Sequence, residues 1–318
     1  MSHYCRFKLC LLIVLLLLLK GIKDVMANTL FVSHHGHDLG NCCNNRTIPC
    51  QTVRHAVTKT NEGDQVFIDF AQGRPYMECD DVTKAKYPIE LTKFISFHGM
   101  NGSAELQCSK WYTLFKIKSP GRNITHVKFI NLIISNSNIV VRLDQGTLSE
   151  LVLQNVVVRN NQIGLYSKNS IYCSVLMINT TFEHNSFGRI QLQCLNLTAN
   201  IMSSIFKLTP VLLKNIGGKP SRLQNMQIWV ENTIVDVDNT QICLEMFAIE
   251  PVTATLNVTI TNSQFKNHIA NCKFVKDGIS TLHINSRHIS VEVYLKIFLS
   301  NLLFQNNNST RPVLVLSP

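Results

Sequence analysis

Three short clusters in the sequence carry side chains that can do chemistry. His34-His35-Gly36-His37-Asp38 offers imidazoles and a carboxylate, which are ligands for zinc or copper. Asp80-Asp81 offers paired carboxylates, as the hydrolysis of a glycosidic bond requires. Trp111-Tyr112 offers aromatic rings on which a sugar can stack. Each cluster must be weighed against the backbone that would hold it.

The first two clusters fit structural roles better than catalytic ones. In an extended strand neighbouring residues point to opposite sides, so His35 and His37 could share a side, but two ligands do not close a metal site. Asp80-Asp81 lies beside Cys79, and a solvated loop is favoured because charges are rarely buried unpaired. Trp111 to Phe115 also fits a strand, so a sugar-stacking role and a structural role stay equally open. The sequence thus predicts no metal, no cofactor and no catalytic residue.

Cysteine is frequent, with 11 residues in the chain. Nine lie after residue 27, and five of these fall before residue 110, so the N-terminal region is the more cross-linked part. We expect Cys50 to pair with Cys42 or Cys43, and Cys79 to pair with Cys108. The odd total leaves at least one thiol free or intermolecular. Zinc binding by cysteine is not expected, because no C-x-x-C motif occurs.

Residues 1–27 predict a secretory signal peptide. Basic residues Arg6 and Lys8 precede the apolar run Leu9–Leu19, and Val25-Met26-Ala27 offers small residues at the cleavage positions. A membrane anchor is the alternative, but the run is shorter than the roughly 20 residues that span a bilayer. No later stretch is apolar enough to cross a membrane, so we expect the mature chain to be secreted.

The composition is poor in charge and rich in asparagine. Of the 318 residues, 45% are apolar, 16% are charged and 31 are Asn. This composition excludes a disordered chain, a collagen-like repeat and a heptad coiled coil. The net charge of +10 is spread thinly, with no run of three basic residues, so a nucleic-acid-binding surface is not expected.

A repeat becomes visible when the chain is aligned on Asn131, Asn155 and Asn179, which are 24 residues apart. Residues four and two positions before this anchor, and three positions after it, are apolar in every repeat. The first two share one face of a strand, and the change of parity after the anchor indicates a corner. A second polar column follows five residues after the anchor and indicates another bend. The anchor itself is predicted to form an inward-facing polar ladder at these Asn and Ser residues: Asn131, Asn155, Asn179, Ser203, Asn232, Asn262 and Asn301.

Coils of about 24 residues without helical periodicity predict an all-β fold, a single-stranded right-handed parallel β-helix. A β-sandwich is the alternative, but it would show hairpin signals every 8–12 residues or so. Residues 28–124 would form a disulfide-linked cap and the first coils, and residues 125–318 the regular coils of one continuous domain. About ten coils are expected, with loops near 207–225, 240–252 and 272–292, and a short amphipathic helix at 52–58 would cover the first coil.

Eight N-x-S/T sequons predict N-glycosylation. Asn179 is also a ladder residue, and an inward side chain cannot carry a glycan, so we expect it to be unmodified. The remaining seven sequons are expected to be glycosylated: Asn45, Asn101, Asn123, Asn196, Asn257, Asn307 and Asn308.

The N-terminal residues also follow a known order. Phe31-Val32-Ser33, Gly36-His37-Asp38, Thr47 to Val53, Gly63 to Ile68 and Pro75-Tyr76 succeed one another. This extended start with G-x-D, then a P-x-T helix and a G-D-x-V strand, resembles the pectin-lyase-like superfamily of right-handed parallel β-helix proteins. The sequons and the cysteine after Pro49 are similar to those of its uncharacterised secreted animal members, of the cnidarian type.

The resemblance implies that the residues of polysaccharide-cleaving enzymes should be sought. Of the N-T-D, D-D and G-H-G sets of polygalacturonases only Asp80-Asp81 is present, and Gly63-Asp64-Gln65 does not match the Q-D-T motif of pectin methylesterases. We therefore expect a non-catalytic extracellular structural or recognition module, with glycans or cell-surface proteins as partners. A polysaccharide lyase or hydrolase with an atypical site is one alternative, and the ectodomain fragment of a larger cell-surface receptor is another.

Overall fold

The computed structural model describes residues 27–71, 73–79, 88–108, 112–121, 123–185, 190–215, 224–236, 247–250, 254–267, 282–285, 295–305, 307 and 314–317. These residues form one α-helix and 26 strands, which are numbered β1 to β26 in chain order. Every pairing between these strands is parallel, and the chain winds as a β-solenoid, or parallel β-helix. The predicted fold class is confirmed. The predicted signal peptide and the residues Asp80-Asp81 and Trp111 lie outside the described residues.

The coils have three walls, which we call A, B and C. Wall A consists of β1 Thr29–Val32, β2 Gln65–Asp69, β5 Ile95–Met100, β8 Thr125–Ile130, β11 Leu148–Gln154, the second halves of β13 Ile163–Ile178 and β15 Ile190–Met202, β18 Gln224–Glu231, β21 Ala254–Thr261 and β24 Leu295–Ser300. Wall B consists of β3 Tyr76–Cys79, β6 Ala104–Cys108, β9 Leu132–Ser135, β12 Val157–Arg159, β14 Thr181–Glu183, β16 Ile205–Lys207, β19 Ile234–Asp236, β22 Gln264–Lys266 and β25 Leu303–Gln305. Wall C consists of β4 Ile89–Leu91, β7 Thr113–Ile117, β10 Ile139–Leu143, the first halves of β13 and β15, β17 Val211–Asn215, β20 Phe247–Glu250, β23 Leu282–Asn285 and β26 Leu314–Ser317.

Wall B is a nine-stranded sheet, so nine coils stack among the described residues, slightly fewer than the ten expected. Walls A and C belong to one 17-stranded sheet, because β13 and β15 each run from wall C into wall A without a break. The segments that the sequence analysis treated as loops at 207–225, 240–252 and 272–292 each supply part of wall C, through β17, β20 and β23.

The strand register follows the 24-residue repeat. Leu151 pairs with Val175 and Val175 with Ala199, each exactly one repeat along the chain. The same alignment continues over the longer steps, where Ala199 pairs with Ile228. The three apolar columns point inward and are buried through most of the solenoid. Aromatic rings stack between coils inside it, as Phe182 on Phe206 with centroids 5.4 Å apart.

The chain turns from wall A into wall B through a residue in the left-handed helical region. φ is 56° at Asn131, 54° at Asn155 and 49° at Asn179. Asn tolerates this conformation better than other non-glycine residues, because its short amide side chain bonds to nearby backbone. The same conformation recurs at Asn101, Ser203, Asn232, Asn262 and Asn301.

The predicted Asn ladder faces the solvent, not the core. Asn155 Nδ2 donates to Asn131 Oδ1 over 3.0 Å, and Asn179 Nδ2 donates to Asn155 Oδ1 over 2.9 Å. Asn301 Nδ2 likewise donates to Asn262 Oδ1 over 3.0 Å. The prediction of an inward ladder is wrong because the left-handed residue interrupts the two-residue alternation of the strand. The anchor therefore points outward, and the residue after it points inward.

Two inward polar ladders lie one residue further along the chain. After the first corner, Thr180 N donates to Ser204 Oγ over 3.2 Å, and both side chains are buried. After the second corner, Ser137 N donates to Asn161 Oδ1 over 2.8 Å, and Asn161 N donates to Asn185 Oδ1 over 3.1 Å. Buried amides and hydroxyls thus satisfy backbone groups that the turns leave without strand partners.

The helix α1, Val53–Lys59, covers the first coil, as predicted, and buries Val53, Ala56 and Val57. Thr52 caps it, since Thr52 Oγ1 accepts from His55 N over 3.0 Å. Two carboxylates add to the cap. Asp38 accepts from Thr52 N over 3.2 Å and from Thr52 Oγ1 over 2.7 Å. Glu78 accepts from Val53 N over 2.7 Å.

In the described part of the chain, no helix has the length and apolarity needed to cross a bilayer.

Candidate functional site

The outer face of wall A carries a cleft of about 620 Å³ near the first coils. We call it the front cleft and define it by Gln65, Phe94, Ser96, His98 and Lys128, which line it. Strand alternation explains their common side. In β5 and β8 the residues between them, such as Phe97 and Phe129, are buried in the core. The outward residues then meet across the coils, with Gln65 beside Ser96 and Ser96 beside Lys128.

His98, which lines the front cleft, stacks on the ring of Phe67. The His98 ring lies on Phe67 with centroids 4.9 Å apart and planes 21° from parallel. His98 Nε2 lies 3.0 Å from Ser96 Oγ, within hydrogen-bonding distance. Burial and the neighbouring charge of Lys128 lower the pKa of His98. His98 is therefore a neutral hydrogen-bonding group at neutral pH.

Lys128 and Phe94 also line the front cleft. Lys128 Nζ lies 5.5 Å from the centroid of the Phe94 ring, in the range of a cation–π contact. Among the described residues, no carboxylate lies within the 4.0 Å of an ion pair with Lys128, whereas the neighbouring His126 has Glu150 at 2.8 Å. The front cleft thus combines an ammonium group, an aromatic ring, a hydroxyl and an imidazole.

Two carboxylates, Glu62 and Asp64, also line the front cleft, and both bond to the backbone. Asp64 is buried and accepts from Asn28 N over 2.8 Å and from Asn61 N over 2.6 Å. Glu62 accepts from Phe94 N over 3.0 Å. Both side chains therefore position the loop beside the cleft, and this arrangement differs from the pair of free carboxyl groups that glycoside hydrolysis uses.

The same outer face continues along the solenoid. The column that contains Lys128 passes through Val152, Leu176 and Asn200 to Trp229, and then through Thr259 to Phe298. Trp229 is 46% exposed and Phe298 is 55% exposed. Six steps of about 4.8 Å separate Lys128 from Phe298, or about 29 Å. The face therefore offers aromatic contacts at both ends of an extended track.

Three residues of the cluster 34–38 make structural contacts, and His35 and His37 are exposed. His34 stacks on Tyr76 with centroids 4.1 Å apart, and its Nε2 lies 2.8 Å from Arg74 O. Asp38 caps α1, as described above. Gly36 leaves room for the backbone of Cys50, because a Cβ there would lie 2.3 Å from Cys50 O. His184 occupies the second corner with φ 52°, in the column where Asn136 and Asn160 have the same conformation.

The structure joins Cys43 to Cys50 and Cys79 to Cys108 by disulfides. It adds a disulfide that the sequence analysis did not propose, between Cys173 in β13 and Cys194 in β15. Among the described cysteines only Cys42 is free, and it is buried. Because Cys42 and Cys43 are adjacent, the sequence could not show which of them pairs with Cys50.

The sequons differ in exposure. Asn45, Asn101, Asn123 and Asn257 are exposed, and Asn196 and Asn307 are partly buried. Asn308 lies outside the described residues. Asn179 is exposed, so the burial argument for its lack of a glycan is wrong, and its state stays a prediction.

The inner ladders, the front cleft and the third disulfide were missed in the sequence. The inner ladders had a signal, since Thr180, Ser204, Thr233 and Ser263 directly follow the anchor. The sequence gives no signal for the front cleft, because Gln65, Ser96 and Lys128 lie 31 and 32 residues apart and so do not follow the 24-residue repeat.

Comparison of the chain with protein families and with curated proteins finds no match. The class of protein that the fold defines is a disulfide-linked parallel β-solenoid.

Proposed function

We propose that this chain is a secreted, N-glycosylated member of the pectin-lyase-like superfamily that binds acidic extracellular glycans along the outer face of wall A without cleaving them. The observation that carries the proposal is the front cleft, where Lys128 lies over Phe94 beside Ser96 and His98.

The chemistry of the front cleft suits an acidic sugar. The Lys128 ammonium attracts a carboxylate or sulfate, and the Phe94 ring offers an apolar surface to the C–H face of a sugar ring. Ser96 and the neutral His98 can donate to or accept from hydroxyl groups. A cleft in which a few polar groups converge beside an apolar surface is typical of ligand sites.

The length of the face suits a linear polymer. Trp229 and Phe298 lie in the same column as Lys128 and stay exposed. An extended glycan that begins in the front cleft would reach Trp229 after four steps of about 4.8 Å, or about 19 Å. Aromatic residues at such a spacing favour an oligosaccharide over a single sugar.

Secretion and glycosylation rest on the sequence and on chemistry. Disulfides persist in oxidising compartments, and the chain has three among its described residues. Five of the eight sequon asparagines are exposed in the described part of the chain and so accessible to a glycan.

A glycan array followed by calorimetric titration tests the proposal. We expect uronic-acid or sulfated oligosaccharides to bind and neutral ones not to bind. Lys128→Gln should weaken binding at least tenfold at low salt, because the attraction of the ammonium group is lost. Arg142→Gln is the matched control, since it removes one positive charge from an exposed position on wall C.

Chain length sharpens the test. Trp229→Ala should weaken the binding of a long oligosaccharide several-fold and leave the binding of a disaccharide unchanged, because only the long ligand reaches Trp229. Equal binding by wild type and Lys128→Gln would contradict the proposal. Release of reducing sugars or unsaturated products from an acidic polysaccharide would favour the alternative of a lyase or hydrolase.

A further inference from the structure

Three sulfur atoms lie together at the N-terminal end of the solenoid. Cys43 and Cys50 form a disulfide, and the free Cys42 Sγ lies 2.9 Å from Cys50 Sγ and 3.9 Å from Cys43 Sγ. All three side chains are at most 1% exposed. A thiol in contact with a disulfide sulfur is the starting arrangement of thiol–disulfide exchange.

An imidazole faces the same cluster. Donor atoms of His55, Cys42 and Cys50 lie within 4.8 Å of one another. His55 Nε2 is buried and has no hydrogen-bond partner among the described residues. A buried polar atom without a partner is uncommon and costly. Because a ring nitrogen of His55 lies within 4.8 Å of Cys42 Sγ, the imidazole is placed to exchange a proton with that thiol.

The cluster has an opening. Cys42 lines a cavity of about 570 Å³, together with Gly40, Asn41 and Lys59. Water and small solutes in this cavity can reach the edge of the cluster, although the sulfur atoms themselves are almost covered.

We propose that Cys42, Cys50 and Cys43 form an internal thiol–disulfide exchange site, in which Cys50 pairs alternately with its two neighbours. The Cys42 thiol loses its proton, and the thiolate attacks Cys50 Sγ. The Cys42–Cys50 bond forms, the Cys43–Cys50 bond breaks, and Cys43 leaves as a thiolate that takes up a proton. The His55 imidazole accepts the first proton and can return it. One disulfide and one thiol are present before and after, so no oxidant or reductant is needed.

The charges around Cys42 determine how the exchange responds to pH. Burial and the Asp38 carboxylate raise the pKa of the Cys42 thiol, and the Lys59 ammonium opposes them. The thiol is therefore mostly protonated at neutral pH. The rate should rise up to about tenfold with each pH unit until the thiol ionises, because the thiolate is the nucleophile.

Positional labelling tests the site in the full chain. The protein is held at pH 4, shifted to pH 6, 7.5 or 9 without added thiol, and stopped with acid at timed intervals. Free thiols are blocked with N-ethylmaleimide in denaturant, the protein is digested with pepsin, and tandem mass spectrometry locates the label. We expect the label on Cys42 at first and on both Cys42 and Cys43 later, with faster change at higher pH.

Two variants and an internal control separate the outcomes. Cys43→Ala should form a Cys42–Cys50 bond and keep its circular dichroism spectrum. His55→Gln should slow the exchange several-fold at pH 7.5 and less at pH 9, where hydroxide can take the thiol proton in place of the imidazole. Cys79 and Cys108 should stay unlabelled throughout. A label that stays on Cys42 alone at every pH and time, or that appears on Cys79 and Cys108 as fast as on Cys43, would overturn the proposal.

Discussion

The N-terminal cap and the regular coils are stabilised in different ways. We define the cap as residues 28–60 together with Glu78, whose carboxylate bonds to the start of α1, and the regular coils as residues 125–215. In the coils each contact is repeated, as in the Asn161 and Asn185 amides, which bond to backbone at the same corner of successive coils. In the cap each contact occurs once, as in the carboxylate of Glu78 at the start of α1. When one residue of a repeated set is replaced, the equivalent residues in neighbouring coils still hold the structure. A contact that occurs once has no such equivalent, so substitutions in the cap should lower the free energy of unfolding more.

The largest effect is expected at Glu78. Glu78 is 3% exposed, and its two carboxylate oxygens accept from Val53 N and Arg54 N. Glu78→Ala would leave both N–H groups and the Arg54 guanidinium without this carboxylate, at a cost of about 3–5 kcal/mol. Chemical denaturation measures the free energy of unfolding. Glu90→Ala is the control, since its ion pair with Lys118 is exposed and contributes about 0–1 kcal/mol. Equal losses for the two variants would contradict the importance of single contacts in the cap.

The pH dependence of the cap should be nearly as large. Burial raises the pKa of Glu78 to about 7, although Val53 N, Arg54 N and the Arg54 guanidinium act to lower it. The folded state then holds the proton more tightly than the unfolded state, whose carboxyl pKa is about 4.3. The contribution to stability is full below pH ~4.3, decreases as the pH rises to about 7, and stays at its lower value above that, a change of up to about 3 kcal/mol.

Unfolding midpoints measured between pH 4 and 8 test this slope, which Glu78→Gln should remove. Glu105, on wall B, gives the opposite case. Burial acts to raise its pKa, but hydrogen bonds from Ser135 and Gln107 and the charge of Arg159 lower it overall. Its contribution is present above the ordinary carboxyl pKa and is lost as the pH falls through the lowered value. A Glu78→Gln variant that keeps the wild-type slope would exclude Glu78 as its source.

A substitution in the inner ladder is expected to cause a smaller loss of stability. Asn161 donates to Ile134 O over 3.1 Å and accepts from Ser137 N over 2.8 Å, and it is buried. Asn161→Ala would leave these backbone groups unsatisfied at a cost of about 2–3 kcal/mol, measured by chemical denaturation. The neighbouring Asn160→Ala is the matched control, because Asn160 is exposed at the corner. A greater loss at Asn160 than at Asn161 would reverse the assignment of inner and outer residues.

The smallest effect is expected in the outer ladder. Asn155 is exposed with φ 54°, and Asn155→Ala should destabilise by about 1 kcal/mol because alanine adopts this conformation at a cost. Asn155→Gly should restore most of the loss, since glycine has no Cβ to clash. Thermal unfolding of the pair measures the difference. If glycine destabilised as much as alanine, the side-chain ladder would matter more than the backbone conformation.

The sequence predicts the coils well because their pattern repeats. The spacing of Asn131, Asn155 and Asn179 determines the register, and the apolar columns around it define the core. The predicted direction of the anchor side chain was wrong, because a single residue in the left-handed region reverses the alternation of the strand. The pattern of residue types does not show which residue has a positive φ. The two-residue pattern of a strand holds only as long as the strand is continuous.

The irregular coils are harder to predict from sequence. The spacing of Gln65, Ser96 and Lys128 is set by turns of different length, so their meeting in the front cleft is visible only in the structure. The bond between Cys173 and Cys194 depends on β13 and β15 crossing a corner as long strands, which the repeat does not show. Disulfide candidates close in sequence, such as Cys43 and Cys50, were easier to propose because few partners were near.

The constant register also determines how the protein can fold. In walls A and B of the regular coils each new strand pairs with one 24 residues earlier, so the entropy lost in closing a coil is nearly the same at every step. That entropy grows only with the logarithm of loop length, and the 39-residue step from Asn262 to Asn301 costs about 0.4 kcal/mol more than a 24-residue step. Once one coil has formed, folding can therefore propagate along the axis one coil at a time. Long insertions between coils are tolerated for the same reason.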